Sequence, residues 1–318
     1  MPFRNRVTAL LDIEHPILLA PMDVVSDGAL AAAVSKAGGL GLIGGGYGDG
    51  GWLEREFVAA GNTRVGCGFI TWSLAKQPEL LDRALDHAPA AVMLSFGDPT
   101  PFAERIHAAG AKLICQVQSL VQAKEAADAG ADIIVAQGTE AGGHGAARGT
   151  MTLVPEIVDA LPRVPVVAAG GIADGRGLAA ALMLGAEGVL MGTRFYASRE
   201  AVGHAEAKRR ITAASGDDTQ RSIVFDISRR NVWPAPYNGR LLRNAHMDRW
   251  LGRENDLMQN ADAEAARYAG ARDAGDFDTA GVIAGESTGL IHDLPGAAEI
   301  VTRVAAEAET LLNNGARR

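Results

Sequence analysis

Three polar, glycine-rich pieces of this chain have residue types that could do chemistry. They are Gln137-Gly-Thr-Glu-Ala-Gly-Gly-His144-Gly, Ala168-Ala-Gly170-Gly171-Ile and Leu190-Met-Gly192-Thr193. Each follows a short apolar run, so each reads as a loop leaving the carboxyl end of a strand, where parallel α/β folds converge on a ligand. Glycine turns expose backbone N–H groups that can hold an anion, and Thr193 adds a hydroxyl donor. His144 lies among glycines beyond its strand, which predicts an exposed, mobile imidazole able to accept a proton near neutral pH. Glu140 could orient that ring or merely solvate the loop. The combination points to a phosphate-bearing cofactor beside a proton-transfer group. The plain alternative is a set of tight turns and an incidental surface histidine.

Loops of this kind need strands to hold them. Up to about residue 215, β-like runs alternate with helix-like ones. The expected strands are 17–20, 40–43, 65–69, 91–94, 112–116, 133–137, 164–169 and 188–191. Helical periodicity occupies the intervals, for example 101–109 and 120–129. A weak repeat supports this division: Lys36-Ala-Gly-Gly-Leu, Ala108-Ala-Gly-Ala-Lys, Asp128-Ala-Gly-Ala-Asp and Met183-Leu-Gly-Ala-Glu each read as a helix end, a glycine cap and a new strand. Eight βα units predict a (β/α)8 TIM barrel, with an open doubly wound sheet as the alternative. Asp174 is a predicted N-cap for the helix that begins near Gly175. After residue 215 the alternation stops. The stretch 240–268 reads as helical and 297–312 as a closing amphipathic helix. The expected organisation is a barrel from 1–218 and 285–318 with a smaller helical cap subdomain over 219–284.

The totals narrow the function classes. The chain has 318 residues, a formal net charge of −8 and scattered Lys and Arg, so nucleic acid is not an expected partner. No signal-peptide pattern and no long uninterrupted apolar run is present, which predicts a cytoplasmic protein without a membrane partner. Cys67 and Cys115 lie in apolar runs and read as buried thiols. Metal-ligand spacing is absent, so no metal site is expected. The cluster from Gly38 to Gly51 contains two GxGxxG matches, but one encloses a strand and the other lies in a loop. A dinucleotide fingerprint must follow a strand and open a helix, so the expected reading is a tight βα loop that lets backbone approach a flat ligand, with a dinucleotide site as the alternative.

Four segments together resemble the nitronate monooxygenase family, formerly called 2-nitropropane dioxygenases. They are Pro16-Ile-Leu-Leu-Ala-Pro21-Met22, Gln137 through His144, Ala168 through Gly177 and Met191-Gly-Thr-Arg-Phe195, and the likeness returns in Ala284-Gly-Glu-Ser-Thr-Gly-Leu-Ile291. The resemblance implies an FMN-binding barrel. Gly170, Gly171, Gly192 and Thr193 would hold the FMN phosphate, with Gly142 and Gly143 in the neighbouring loop. Ala20, Pro21 and Met22 would lie along the isoalloxazine, with Phe69, Gln116 and Gln137 nearby. His144 would be the catalytic base, and small alkyl nitronates and O2 the substrates, giving a carbonyl compound and nitrite. Many members have a lysine where this chain has Gln116, and the turn after His144 is longer than their usual pattern. A homo-oligomer is compatible with the sequence.

The nearest rival is the FMN-dependent enoyl-acyl-carrier-protein reductase, which uses NAD(P)H. It shares the Glu-Ala-Gly-Gly-His and Gly-Gly-Ile-Ala-Asp-Gly segments. The Ala-Pro-Met end of the first strand and the region near 230–244 favour the monooxygenase. An IMP dehydrogenase reading fails, because the loop after the sixth strand has no nucleophilic cysteine. A non-enzymatic flavin-binding module is the remaining alternative.

Overall fold

A computed structural model describes residues 3–315. Eight parallel strands follow one another: β1 (Ile17–Leu19), β2 (Leu42–Gly44), β3 (Gly66–Ile70), β4 (Ala91–Ser95), β5 (Lys112–Val117), β6 (Ile133–Gln137), β7 (Val166–Ala169) and β8 (Val189–Met191). Each lies within two residues of its expected position. The sheet runs in chain order from β2 to β8, and β8 pairs with β1. A parallel bridge between Leu18 and Leu40 closes the ring, with Leu19 N–H donating to Leu40 O at 2.9 Å. The expected (β/α)8 barrel is therefore present, and the open-sheet alternative is not.

Alternation along the strands builds two cores. Leu18, Leu42, Met93, Ile114, Val135, Val167 and Leu190 fill the barrel interior. Their neighbours Ile17, Ile43, Val92, Cys115, Ile134 and Val189 face the surrounding helices. Each buried Leu, Ile or Val contributes about 1.5–3 kcal/mol. The helices begin at side-chain caps, including Asp27, Asp49, Ser119 and the expected Asp174, which accepts from the amides of Arg176 and Gly177. The repeated glycines Gly38, Gly110, Gly130 and Gly185 all have positive φ, as a left-handed helix cap requires. The closing helix, Ala297–Gly315, packs on helix Gly175–Met183, where Glu307 accepts from Gly175 N at 2.8 Å.

The stretch 219–284 is helical in large part, as expected of the cap, but not throughout. It carries helices Val224–Ser228, Ala245–Trp250, Glu254–Gln259 and Ala261–Ala274. It also carries strands Thr219–Ser222 and Asn238–Leu242, so the part of 240–268 expected to start a helix is extended. These strands pair antiparallel, and Asn238–Leu242 pairs in turn with Gly143–Gly145, placing Gly239 opposite His144. Phe225, Leu241, Met247, Tyr268 and Phe277 form a separate core for this region. Among the described residues no helix is long and apolar enough to cross a membrane.

Candidate active site

The registers Ser95–Gln116, Gln137–Ala169 and Leu19–Met191 bring the carboxyl ends of the strands to one level. The inward-facing positions there include Gly44, Gly68 and Gly192. These glycines let the segment Ala20–Met22 lie across the barrel. A Cβ on Gly44 would meet Met22 O at 2.2 Å, and one on Gly68 would meet Pro21 Cγ at 2.4 Å. Gly192 sits nearby, where a Cβ would lie 3.5 Å from Met22 Sδ. Phe69 points the other way, into the strand–helix layer, with its ring against Gly45. It supports this floor from behind.

The glycine loops after β6, β7 and β8 form one wall of the mouth. Gly170 and Gly171 have φ of 103° and 75°, and among the described residues neither amide donates a hydrogen bond. Thr193 Oγ1 accepts from Gly285 N at 2.9 Å, which leaves its own proton free to donate. Gly142 packs against Ala284 and Gly285, too close for any Cβ. Free amides, a hydroxyl and closely approaching backbone fit an anionic group such as a phosphate.

Arg240, buried, and Arg221, half-buried, brace this wall, and sequence reasoning did not single them out for it. Arg221 donates to Thr139 O, Gly143 O and Ala141 O. Arg240 donates to Thr139 O and pairs with Glu286 at 2.8 Å. Burial, reinforced by Arg240, pushes the Arg221 guanidinium down to about 10. Arg221 remains a cation, and both guanidinium groups lie behind the loop that leads to His144.

Amides and rings continue the wall beside it. Gln137 Oε1 accepts from Gln118 Nε2 at 2.8 Å and from Gln116 Nε2 at 3.2 Å, and its Nε2 donates to His144 O at 3.1 Å. Gln118, only 2% exposed, keeps its Oε1 unpartnered among the described residues. A buried orphan acceptor of this kind suits a ligand N–H. The residues present thus fit a flat cofactor with a phosphate tail.

His144 is not exposed, contrary to expectation. Its side chain is 10% exposed and its Nε2 lies 3.0 Å from both carboxylate oxygens of Asp226, itself 8% exposed. The imidazole also stacks on the Trp233 indole, with centroids 3.4 Å apart and planes 8° apart. Glu140 turns away from it and accepts from Thr150 N at 3.0 Å and Thr150 Oγ1 at 2.8 Å, holding the start of helix Thr150–Ala160. Asp226, and not Glu140, is the carboxylate that contacts the ring. Tyr47, Trp72, Phe96 and Tyr237 surround Trp233, and burial raises the Tyr47 and Tyr237 phenols. The two cysteines take no part: Cys67 and Cys115 are free and buried, and burial pushes the Cys115 thiol up to about 12.

Comparison with known proteins agrees with this geometry. The family model described as nitronate monooxygenase matches residues 4–64 and 68–307. A nitronate monooxygenase of Neurospora crassa is 34% identical over 93% of this chain and 90% of that protein. Among solved structures, FabK from Thermotoga maritima superposes with a TM-score of 0.87 at 33% identity, covering 98% of each chain. Nitroalkane oxidase from Streptomyces ansochromogenes gives a TM-score of 0.83 at 26% identity, over 98% of this chain and 99% of that one.

Proposed function

The chain belongs to the nitronate monooxygenase family of oxidoreductases, and we propose that it uses FMN to oxidise small alkyl nitronates with O2, giving a carbonyl compound and nitrite. The observation that carries this reading is a base–carboxylate pair, His144 and Asp226, facing a glycine cradle across one barrel mouth. Gly170, Gly171, Gly192 and Thr193 would hold the phosphate, beside Gly142 and Gly143. Ala20, Pro21, Met22, Gln116 and Gln137 would contact the ring, with Phe69 behind them and Gln118 Oε1 available to a ring N–H. When bound, FMN supplies the electron-accepting ring.

The remaining work falls to the chain. An ionised carboxylate only accepts, so Asp226 keeps the imidazole proton on Nε2 and leaves the lone pair on Nδ1. A nitroalkane is acidic at the carbon next to the nitro group, and that proton would move to Nδ1. The resulting positive charge forms against the Asp226 carboxylate, which stabilises it without itself taking the proton. The glutamine amides hydrogen-bond the ring or a nitro oxygen without adding charge. A substrate that arrives as nitronate needs no base, and His144 then only positions it.

The test is anaerobic mixing of the FMN-loaded protein with ethyl nitronate, which should bleach the flavin absorbance. Bleaching by NADH and not by nitronates would instead support an enoyl reductase, the reading favoured by the likeness to FabK. A protein that cannot be reconstituted with FMN would sink both readings.

A further inference from the structure

Trp233 sits inside a box of rings. Its indole covers the His144 imidazole, and other rings meet it edge-on. Phe96 lies at 5.1 Å, Trp72 at 5.4 Å, Tyr47 at 6.2 Å and Tyr237 at 6.4 Å, all inclined by 81–84°. This is the geometry in which ring quadrupoles attract. The indole N–H donates to Tyr47 Oη at 2.9 Å. One further donor in the walls, Trp72 Nε1, is buried and unpartnered among the described residues.

The walls are tied to neighbouring elements, while the occupant is held chiefly through its ring. Tyr47 O accepts from Ser73 Oγ at 2.9 Å, and Tyr237 Oη accepts from Gln122 Nε2 at 2.7 Å. Around Trp233, Val232 is 86% exposed and Pro234, Ala235 and Pro236 are exposed. Among the described residues the backbone amides of this segment are tied only at its ends, Asn231 N to Asp226 O and Tyr237 N to Pro234 O. The indole holds the segment down, as a plug in a box.

We propose that this box is the subsite for a planar aromatic ring of the substrate and that Trp233 is its resident occupant. The proposal rests on the active-site reading above and deepens it: the substrates extend to nitronates that carry an aryl or heteroaryl group. An entering indole-like ring gains the stack on His144 and the hydrogen bond to Tyr47, and a nitroalkyl arm on that ring then lies beside the base. Trp233 must first leave, so the affinity of the native protein is reduced by the fraction of molecules that are open.

Calorimetric titration of the FMN-loaded protein with indole and with 3-(2-nitroethyl)indole tests this. Indole should bind Trp233→Ala at least about tenfold more tightly than the native protein, with FMN retained, and should compete with the nitroethylindole. Phe96→Ala, which removes a wall and keeps the plug, should weaken indole binding severalfold and serves if Trp233→Ala does not fold. Equal or absent indole binding in native protein and both variants overturns the proposal. Displacement of FMN by indole also overturns it, because the box then belongs to the cofactor ring. Heat of binding is independent of flavin bleaching, so failure of the box and failure of nitronate chemistry are seen separately.

Discussion

Gly170 and Gly171 on one side of the mouth and Asp226 and Trp233 on the other represent two ways of making a site. The glycine wall works through backbone. Its amides are presented by local conformations at positive φ, and each loop follows directly from the strand before it. The cap wall works through side chains that come from far along the chain, Asp226 lying 82 residues from the imidazole it holds. The first kind of wall needs only short-range geometry, so substitutions there should act on cofactor binding. The second kind depends on the cap being docked, so substitutions there should act on proton transfer and substrate choice.

The comparison breaks hardest at His144. His144→Asn should lower turnover of a neutral nitroalkane by roughly 10²–10⁴, with preformed nitronate affected much less. Equal losses on both substrates in steady-state assays would mean that the ring only positions the substrate. Asp226→Asn comes next. The amide can still bond Nε2, but it no longer stabilises the imidazolium, and turnover of the nitroalkane should drop by about 10–100-fold. A pH–rate profile identical to that of the native enzyme would assign Asp226 a purely structural role.

On the glycine wall, Gly170→Ala forces an L side chain to φ 103° with its Cβ 3.0 Å from Gly138 O. Strain of about 1–3 kcal/mol implies roughly five- to hundredfold weaker FMN binding. Fluorescence titration checks this, and an unchanged affinity would remove these amides from the phosphate site.

The smallest effect concerns the support of that wall. Asp293 hydrogen-bonds Arg303 and Arg194, the latter only 3% exposed and just beyond Thr193. The Arg303 contact first, and then Arg194, hold the Asp293 carboxyl at about 2 against an ordinary 3.8. A depressed carboxyl stabilises the fold above its unfolded value and loses that contribution as pH falls, here between 3.8 and about 2. Because Asp293 is 46% exposed, solvent reduces the gain to about 1 kcal/mol. Asp293→Asn should cost that much at pH 7 and almost nothing near pH 2 in denaturant titrations.

Much of the glycine wall was legible before the fold was known. Gly170, Gly171, Gly192 and Thr193 follow apolar runs with strand length, and a barrel makes the ends of consecutive strands neighbours. Asp174 was legible as a cap because it lies next to the helix it starts. His144 was identified as a candidate but misjudged as exposed. Glycines on both sides hid the fact that Gly143–Gly145 is a strand, since its partner, Asn238–Leu242, comes from the cap. The end of that partner, from Arg240, was itself read as the start of a helix, because the apolar residues after it continue a helical pattern. Gln118, Arg221, Arg240, Asp226 and Trp233 carried no local signal. A polar or aromatic side chain in an irregular stretch looks the same whether it faces solvent or a site.

The sequence by itself determined the barrel, the level at which its loops gather and the backbone turns of the glycine loops, because periodicity, capping and glycine conformation act over a few residues. Only the tertiary structure decided what His144 touches. Its burial, its Asp226 partner and the Trp233 ring above it all depend on one antiparallel ladder between the barrel mouth and the cap, and contacts between segments so far apart exist only once both have folded and docked.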